Sequence, residues 1–243
     1  MKRNLFLTTL IITGILPLFS KNLLNVDFKS FEKIDELSFV YSQVIEGEEI
    51  LSEIKISKSR YAEEDVIVYE NRSSKYESFV YVKLNGDLIK TKIFDKKNKA
   101  RYTINYGKSI NISIITEDKK YEKNIPNDCI DTSALALLLS AYKAKNGDSL
   151  NVKLLDYKNL EINEVKINVL DIDSKIRIGK NEVDAIKYEI SSFLFYDSTM
   201  FYAKGKLPVL LYYEGPTSIN FLDRTKLSIT PDSYLKNIKI ITD

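Results

Sequence analysis

The chain has 243 residues, 44% of them hydrophobic and 29% charged, with 36 Lys+Arg against 34 Asp+Glu and no histidine. Setting aside residues 1–20, which hold Lys2 and Arg3 and no acid, leaves 34 charges of each sign, so the remainder lacks the basic excess that a nucleic-acid binder needs. Without histidine there is no Ser-His-Asp or Cys-His site, no histidine general base and no histidine-ligated zinc; with Cys129 as the single cysteine there is no intrachain disulfide.

Met1-Lys2-Arg3 opens onto an apolar run from Leu5 to Phe19, relieved by threonines and Gly14, with Pro17 near its end. This is the layout of a secretory signal peptide, so residues 1–20 are predicted to be a signal peptide or a retained N-terminal anchor, and residues 21–243 a single domain. Leu18 is a poor fit to a cut after Ser20, and no cysteine follows to accept a lipid. Lys21 to Glu36, with Phe28, Phe31 and Ile34, reads as a short helix or an edge strand.

From Leu37 the period is two. Strands are predicted at Leu37–Val44, Glu49–Ser57, Asp65–Glu70, Phe79–Leu84 and Leu88–Phe94, the last two joined by the hairpin signal Asn85-Gly86. Tyr102, Ile104 and Tyr106, then Ile110, Ile112 and Ile114, alternate with polar residues on either side of Gly107, as strands with one buried and one solvated face do. Lys96 to Lys99 and Lys119-Lys120 read as solvated hairpin tips. After the break at Pro126, the run Asp131-Thr-Ser-Ala-Leu-Ala-Leu-Leu-Leu-Ser-Ala-Tyr predicts a helix over about 132–144, capped by Asp131 or Thr132 and ended by Asn146-Gly147. Its apolar residues cover nearly the whole circumference, which requires protein on most sides.

Strands then return at Leu150–Asp156, Glu161–Leu170, Lys175–Ile178, Val183–Ser192, Met200–Ala203, Leu207–Glu214 and Ser218–Leu222, with one more at Leu227–Thr230. The fold predicted is mainly β: a strongly curved antiparallel sheet, an open or half barrel, wrapped around one central α-helix. Outside the first twenty residues every glycine falls at a boundary between proposed elements, with no GxGxxG or P-loop spacing to cradle a phosphate.

Carboxylates are then the main acid-base resource. Asp171 and Asp173 share a strand face, but the residues onward do not follow a calcium loop, and a polar turn is the plainer reading. Glu46, Glu48 and Glu49 crowd a hairpin tip, and Cys129 reads as a small core residue. The predicted site has no catalytic residue, no metal ligand and no cofactor; its candidate pocket wall is the helix face of Leu135, Leu138, Leu139 and Tyr142, residues that a closed core would use equally. An outer-membrane barrel is opposed by the apolar helix, which would sit in a polar lumen, and by the C-terminal Ile-Ile-Thr-Asp, which lacks a terminal aromatic.

The order of an early strand with Gly47, the helix opening Asp131-Thr-Ser, the segment Gly179-Lys-Asn-Glu-Val-Asp-Ala-Ile-Lys-Tyr-Glu-Ile, then Phe201-Tyr202, Leu207-Pro208-Val209 and Tyr213-Glu-Gly-Pro resembles the bacterial envelope family of domain-of-unknown-function 3108. Phe201 and Tyr202 stand where members of that family often carry tryptophan. Through a distant likeness to periplasmic lipoprotein-carrier half-barrels, the resemblance implies an exported, periplasmic or envelope-associated, non-enzymatic module that binds a lipid, an acyl chain or an apolar peptide segment, with a lipid or a lipoprotein as its expected partner. Membrane contact would come only through the N-terminal segment if it is uncleaved. A scaffold binding another envelope protein through a strand edge is the alternative, and a histidine-free carboxylate hydrolase the remaining one.

Overall fold

The computed structural model describes residues 24, 26, 28–33, 35–45, 48–192, 195–205, 209–216 and 224–242. The signal or anchor segment, Gly47 and the strand predicted at Ser218–Leu222 lie outside the described residues. A meander of β1 (Glu36–Ile45), β2 (Glu48–Tyr61), β3 (Glu64–Ser73), β4 (Tyr76–Lys83) and β5 (Leu88–Asp95) continues through β6 (Ala100–Asn105), β7 (Ile110–Ile115) and β8 (Lys120–Ile125). The short β9 (Ile130–Asp131) and helix α1 (Thr132–Ser140) then lead into β10 (Ser149–Asp156) and β11 (Glu161–Ile178). β12 (Asn181–Ser192), β13 (Phe195–Ala203), β14 (Leu210–Pro216), β15 (Arg224–Ile229) and helix α2 (Pro231–Thr242) complete the chain.

All fifteen strands belong to one sheet, ordered β8 to β1, then β15 down to β9. Period-two patterning turns Phe39, Tyr41, Ile54, Ile56, Val80 and Ile104 to the buried side. The sheet is open, because its end strands β8 and β9 do not pair, but its two ends meet through side chains. Thr91 of β5 donates to the carboxylate of Asp131 in β9 at 2.7 Å, the rings of Tyr102 and Tyr157 lie 4.9 Å apart, and Lys158 reaches Asp95 at 3.2 Å. Residues at the β9–β10 end, Cys129 and Leu155, share a core with Ile93, Ile104 and Ile112 of β5 to β7. The sheet therefore curls far enough for one end to lie against the inner face of the other.

β9 and β10 are the sheet's parallel pair, matched at Leu154–Ile130 and Leu155–Asp131. Parallel neighbours need a long crossover, and the connection through residues 132–148 places α1 on the sheet's inner face. The structure corrects the expected helix in number and length: two α-helices are described, and the first stops at Ser140. There Ser140 Oγ donates to the carbonyl of Leu137 at 2.6 Å, Ala141 N bonds back to Leu138 O, and Tyr142 N to Leu139 O, tightening the last turn.

The second helix follows Thr230 and begins with Pro231 and Asp232, a suitable first turn. Its role is to finish β1. Strand β15 pairs with β1 from Tyr41 to Ile45, leaving the rest of that edge of β1 bare. Ser233 Oγ accepts from Val40 N at 2.9 Å, Thr230 N donates to Val40 O at 2.9 Å, and Asn237 Nδ2 donates to Ser38 O at 3.0 Å, so side chains of α2 stand in for a strand.

Other differences have local causes. The strands expected at 161–170 and 175–178 are one bent strand, because register shifts flanking Asp171 absorb the residues between them. Asp171 and Asp173 thus sit in a bulged strand rather than a turn. Gly215 lies inside β14, not at a boundary; Ser198 of β13 occupies the space a side chain there would need.

The turns also reveal an internal repeat. Asn85-Gly86-Asp87, Asp95, Lys97 and Asn98 recur 61 residues later as Asn146-Gly147-Asp148, Asp156, Lys158 and Asn159. The geometry recurs too. Gly86 and Gly147 have φ of 88° and 81°, and Lys99 and Leu160 have φ of 49° and 58°. Asp95 accepts from both the backbone and side-chain nitrogens of Asn98, as Asp156 does from Asn159. Burial alone would raise the pKa of Asp95, but the Asn98 backbone N–H, the Asn98 side chain and Lys158 outweigh it and hold the carboxyl below its ordinary value of 3.8. A carboxylate held low in the folded state stabilises above its unfolded pKa, and that contribution disappears as pH falls through the folded value. Chemical denaturation between about pH 5 and pH 2 should therefore show a shallower acid loss of stability in D95N than in the wild type; identical slopes would contradict the assignment.

Candidate functional site

The helix face predicted as a pocket wall is core. Leu135, Leu138 and Leu139 are 2%, 1% and 0% exposed, and they belong to one core cluster with residues from β1 to β5 and from β10 to β15. Tyr142 is half-buried, and its hydroxyl donates to Asp148 at 2.9 Å; burial, then that carboxylate, raise its pKa. The described cavity beside α1 borders a different face of the helix, at Ala136 and Ser140, and is closed by Tyr41, Tyr69, Tyr202 and apolar neighbours. Its volume of about 10 Å³ is roughly that needed by one water molecule and far below that of an acyl chain.

Three polar attachments hold the helix there. At its start, Asp131 is wholly buried, and its Oδ1 accepts from Ser133 N at 2.9 Å and Ala134 N at 3.1 Å as an N-cap. Its Oδ2 accepts from Thr91 Oγ1 at 2.7 Å and from the Tyr106 hydroxyl at 2.6 Å, and that hydroxyl in turn accepts from Asp131 N at 3.1 Å. Burial, and next the neighbouring Asp131, push the Tyr106 pKa well above its usual value, so the phenol remains a donor. Midway, the hydroxyl of Tyr202 donates to Ala136 O at 2.9 Å. At the far end, Asp148 takes the Tyr142 hydroxyl and Lys145 N.

Cys129 is buried, and its thiol is pushed up to about 11, chiefly by burial and then by Asp128 and Asp131, which makes it a poor nucleophile. Asp173 N donates to Asp171 at 2.9 Å, and Asp173 is engaged by Lys204. Among the described residues no group of three or more Asp, Glu or Cys is placed to hold a metal ion.

The accessible feature is an edge. β9 covers β10 only at Leu154 and Leu155, so from Ser149 to Lys153 the outer side of β10 has no strand beside it among the described residues. Beside this stretch an open depression of about 650 Å³ lies across the paired side of β10, lined by Asn151, Val152 and Lys153 of β10, Glu164, Val165 and Lys166 of β11 and Ser191 of β12. Lys153 is tied to Asp128 at 2.6 Å, which fixes one end of the depression. The strand pattern alone hides this edge, because it depends on β9 being only two residues long. The sequence signal is the Pro126 break followed at once by the capping Asp131.

No family model and no curated protein matches the chain, so its resemblance to the 3108 family remains an expectation from the residues quoted for it. A solved structure, the β-barrel-like protein of domain-of-unknown-function family 1849 from Brucella abortus, is similar at 6% identity and a TM-score of 0.47, covering 84% of this chain and 97% of that one.

Replacing Asp131 by alanine removes a helix cap and strands two buried hydroxyls, and should lower the unfolding free energy by about 3 to 5 kcal/mol. Urea denaturation of D131A measures this; a loss below about 1 kcal/mol would mean that the carboxylate does not hold the helix.

Proposed function

We propose that this protein is an exported, non-enzymatic binding module that takes an extended peptide segment of an envelope partner onto the free edge of β10. The observation that carries the reading is the unpaired stretch Ser149–Lys153: unpaired backbone donors and acceptors on a sheet edge accept another strand. The other end strand is less suited, because β8 exposes both faces and carries Lys120, Glu122 and Lys123, the charges with which natural edges resist pairing. Export rests on the Met1-Lys2-Arg3 start and the apolar run to Phe19.

Carriage of a lipid inside the sheet is the weaker reading. It would require the packed face of Leu135, Leu138 and Leu139 to leave its core and the three polar attachments of α1 to break. The wrapping of the sheet around α1, on this reading, builds a rigid platform.

The test is a photoreactive residue at position 151, compared with one at position 53 on the exposed face of β2. Crosslinking to a discrete envelope protein from position 151, abolished by V152P with retention of the folded spectrum, is the expected outcome. Equal crosslinking from both positions, or none from position 151, would refute the edge. Mass spectrometry of organic extracts separates the carrier: the edge reading expects no stoichiometric lipid, and one lipid per chain would replace it.

A further inference from the structure

We infer that the outer face of β4 to β7 is a binding surface for an acidic polysaccharide, a second site distinct from the edge of β10. Strand register arranges this face in three rows. Tyr81, Lys90, Asn105 and Asn111 form one; Phe79, Lys92, Thr103 and Ser113 the next; Glu77, Phe94, Arg101 and Ile115 the third. The one acid in the array, Glu77, is already engaged by Lys96 at 3.0 Å. Among the described residues Lys90, Lys92 and Arg101 have no carboxylate partner, although many cations elsewhere on the molecule do.

Lys92 and Arg101 are each held over a ring instead, and Lys90 is held by a tyrosine hydroxyl. Lys90 Nζ lies 5.0 Å from the centre of Tyr61 and donates to its hydroxyl at 2.8 Å; Lys92 Nζ is 5.8 Å from Tyr81, and the Arg101 guanidinium 5.6 Å from Phe94. A cation lying on a ring is oriented without being neutralised, so it loses less conformational freedom when an anion arrives. Strand geometry spaces Lys90 and Lys92 by about 7 Å along β5, with Arg101 one strand and one row further on, a diagonal line of charge.

The chemistry beside that line selects the polyanion. Asn105, Thr103, Asn111 and Ser113 give neutral donors and acceptors suited to sugar hydroxyls, while the cations suit carboxylates. The rings of Tyr81 and Phe94 already carry cations, the Tyr61 hydroxyl is taken by Lys90, and all three rings are half-buried, so they are poor stacking platforms for nucleic-acid bases. Ile115 at the rim of the third row is the one strongly exposed apolar side chain in the array, too little hydrocarbon to insert into a lipid bilayer.

The experiment titrates the folded protein with polygalacturonate, dextran, oligodeoxythymidylate and phosphatidylglycerol vesicles, and maps the amide signals that shift. Polygalacturonate should bind, more weakly as salt rises, with shifts confined to β4–β7, and the triple variant K90Q/K92Q/R101Q should lose roughly tenfold in affinity with an unchanged melting temperature. Should the triple variant be less stable, K92Q alone, whose side chain is exposed, should still weaken binding measurably. No binding of polygalacturonate, equal binding of dextran, tighter binding of the oligonucleotide or the vesicles, or affinity unaltered by the substitutions would each overturn the inference.

Discussion

A buried carboxylate with every one of its partners in place is the constraint on which this molecule rests. Asp131 lies where three things must coincide: the end of the short strand β9, the first turn of α1 and the inner face of β5. A carboxylate in an apolar core is tolerated only when its oxygens are bonded, and here two backbone amides and two hydroxyls supply those bonds. Because the amides belong to the helix and the hydroxyls to Thr91 and the residue following β6, satisfying one side chain fixes the helix and the rolled sheet together. A conventional N-cap needs only the first pair of bonds; the second pair closes the fold.

That closure explains how a sheet of fifteen strands avoids both a flat form and a sealed barrel. Open twisted sheets of this size curl. The strand-by-strand meander accounts for β8 to β1 and for β15 to β10, but its two ends are joined by side chains rather than a backbone ladder. The repeated turns stand at this junction, since Lys158 of the later turn reaches Asp95 of the earlier one. The bare half of β1 is finished by α2, whereas the comparable stretch of β10 is left open among the described residues. That contrast between a covered edge and an uncovered one is what the proposed strand-binding role rests on.

Much of this was legible in the chain. Tyr102-Thr-Ile-Asn-Tyr and Ile110-Asn-Ile-Ser-Ile alternate because one face of each strand is buried, and Asn85-Gly86 marks a turn whose glycine adopts positive φ. Where the alternation has no buried face to report, it goes silent. Strand β8 is exposed on both sides and reads as a polar loop, and the bulge in β11 interrupts the period within one continuous strand. Helix α2 does carry a helical period, with Tyr234 and Ile238 one turn apart on its packed side, but the period is silent on Ser233 and Asn237, which finish β1 with hydrogen bonds. The repeat lies in turns, to which strand periodicity is blind. The candidate pocket wall was ambiguous for a different reason: Leu135, Leu138 and Leu139 suit a pocket wall and a filled core equally, and only the packing around them shows that they are buried.

On this account the interior supplies rigidity and the surface does the binding, at an edge prepared for a strand and a face prepared for an acidic chain. The most direct measurement is native-state hydrogen exchange of the amides of Leu137, Leu138 and Leu139. If α1 is locked into the core by Asp131 and Tyr202, these amides should exchange only through global unfolding, with a free energy matching that from denaturant. Exchange at a markedly lower free energy while the β2–β4 amides stay protected would mean that the helix leaves the sheet in the native state, and would contradict the account.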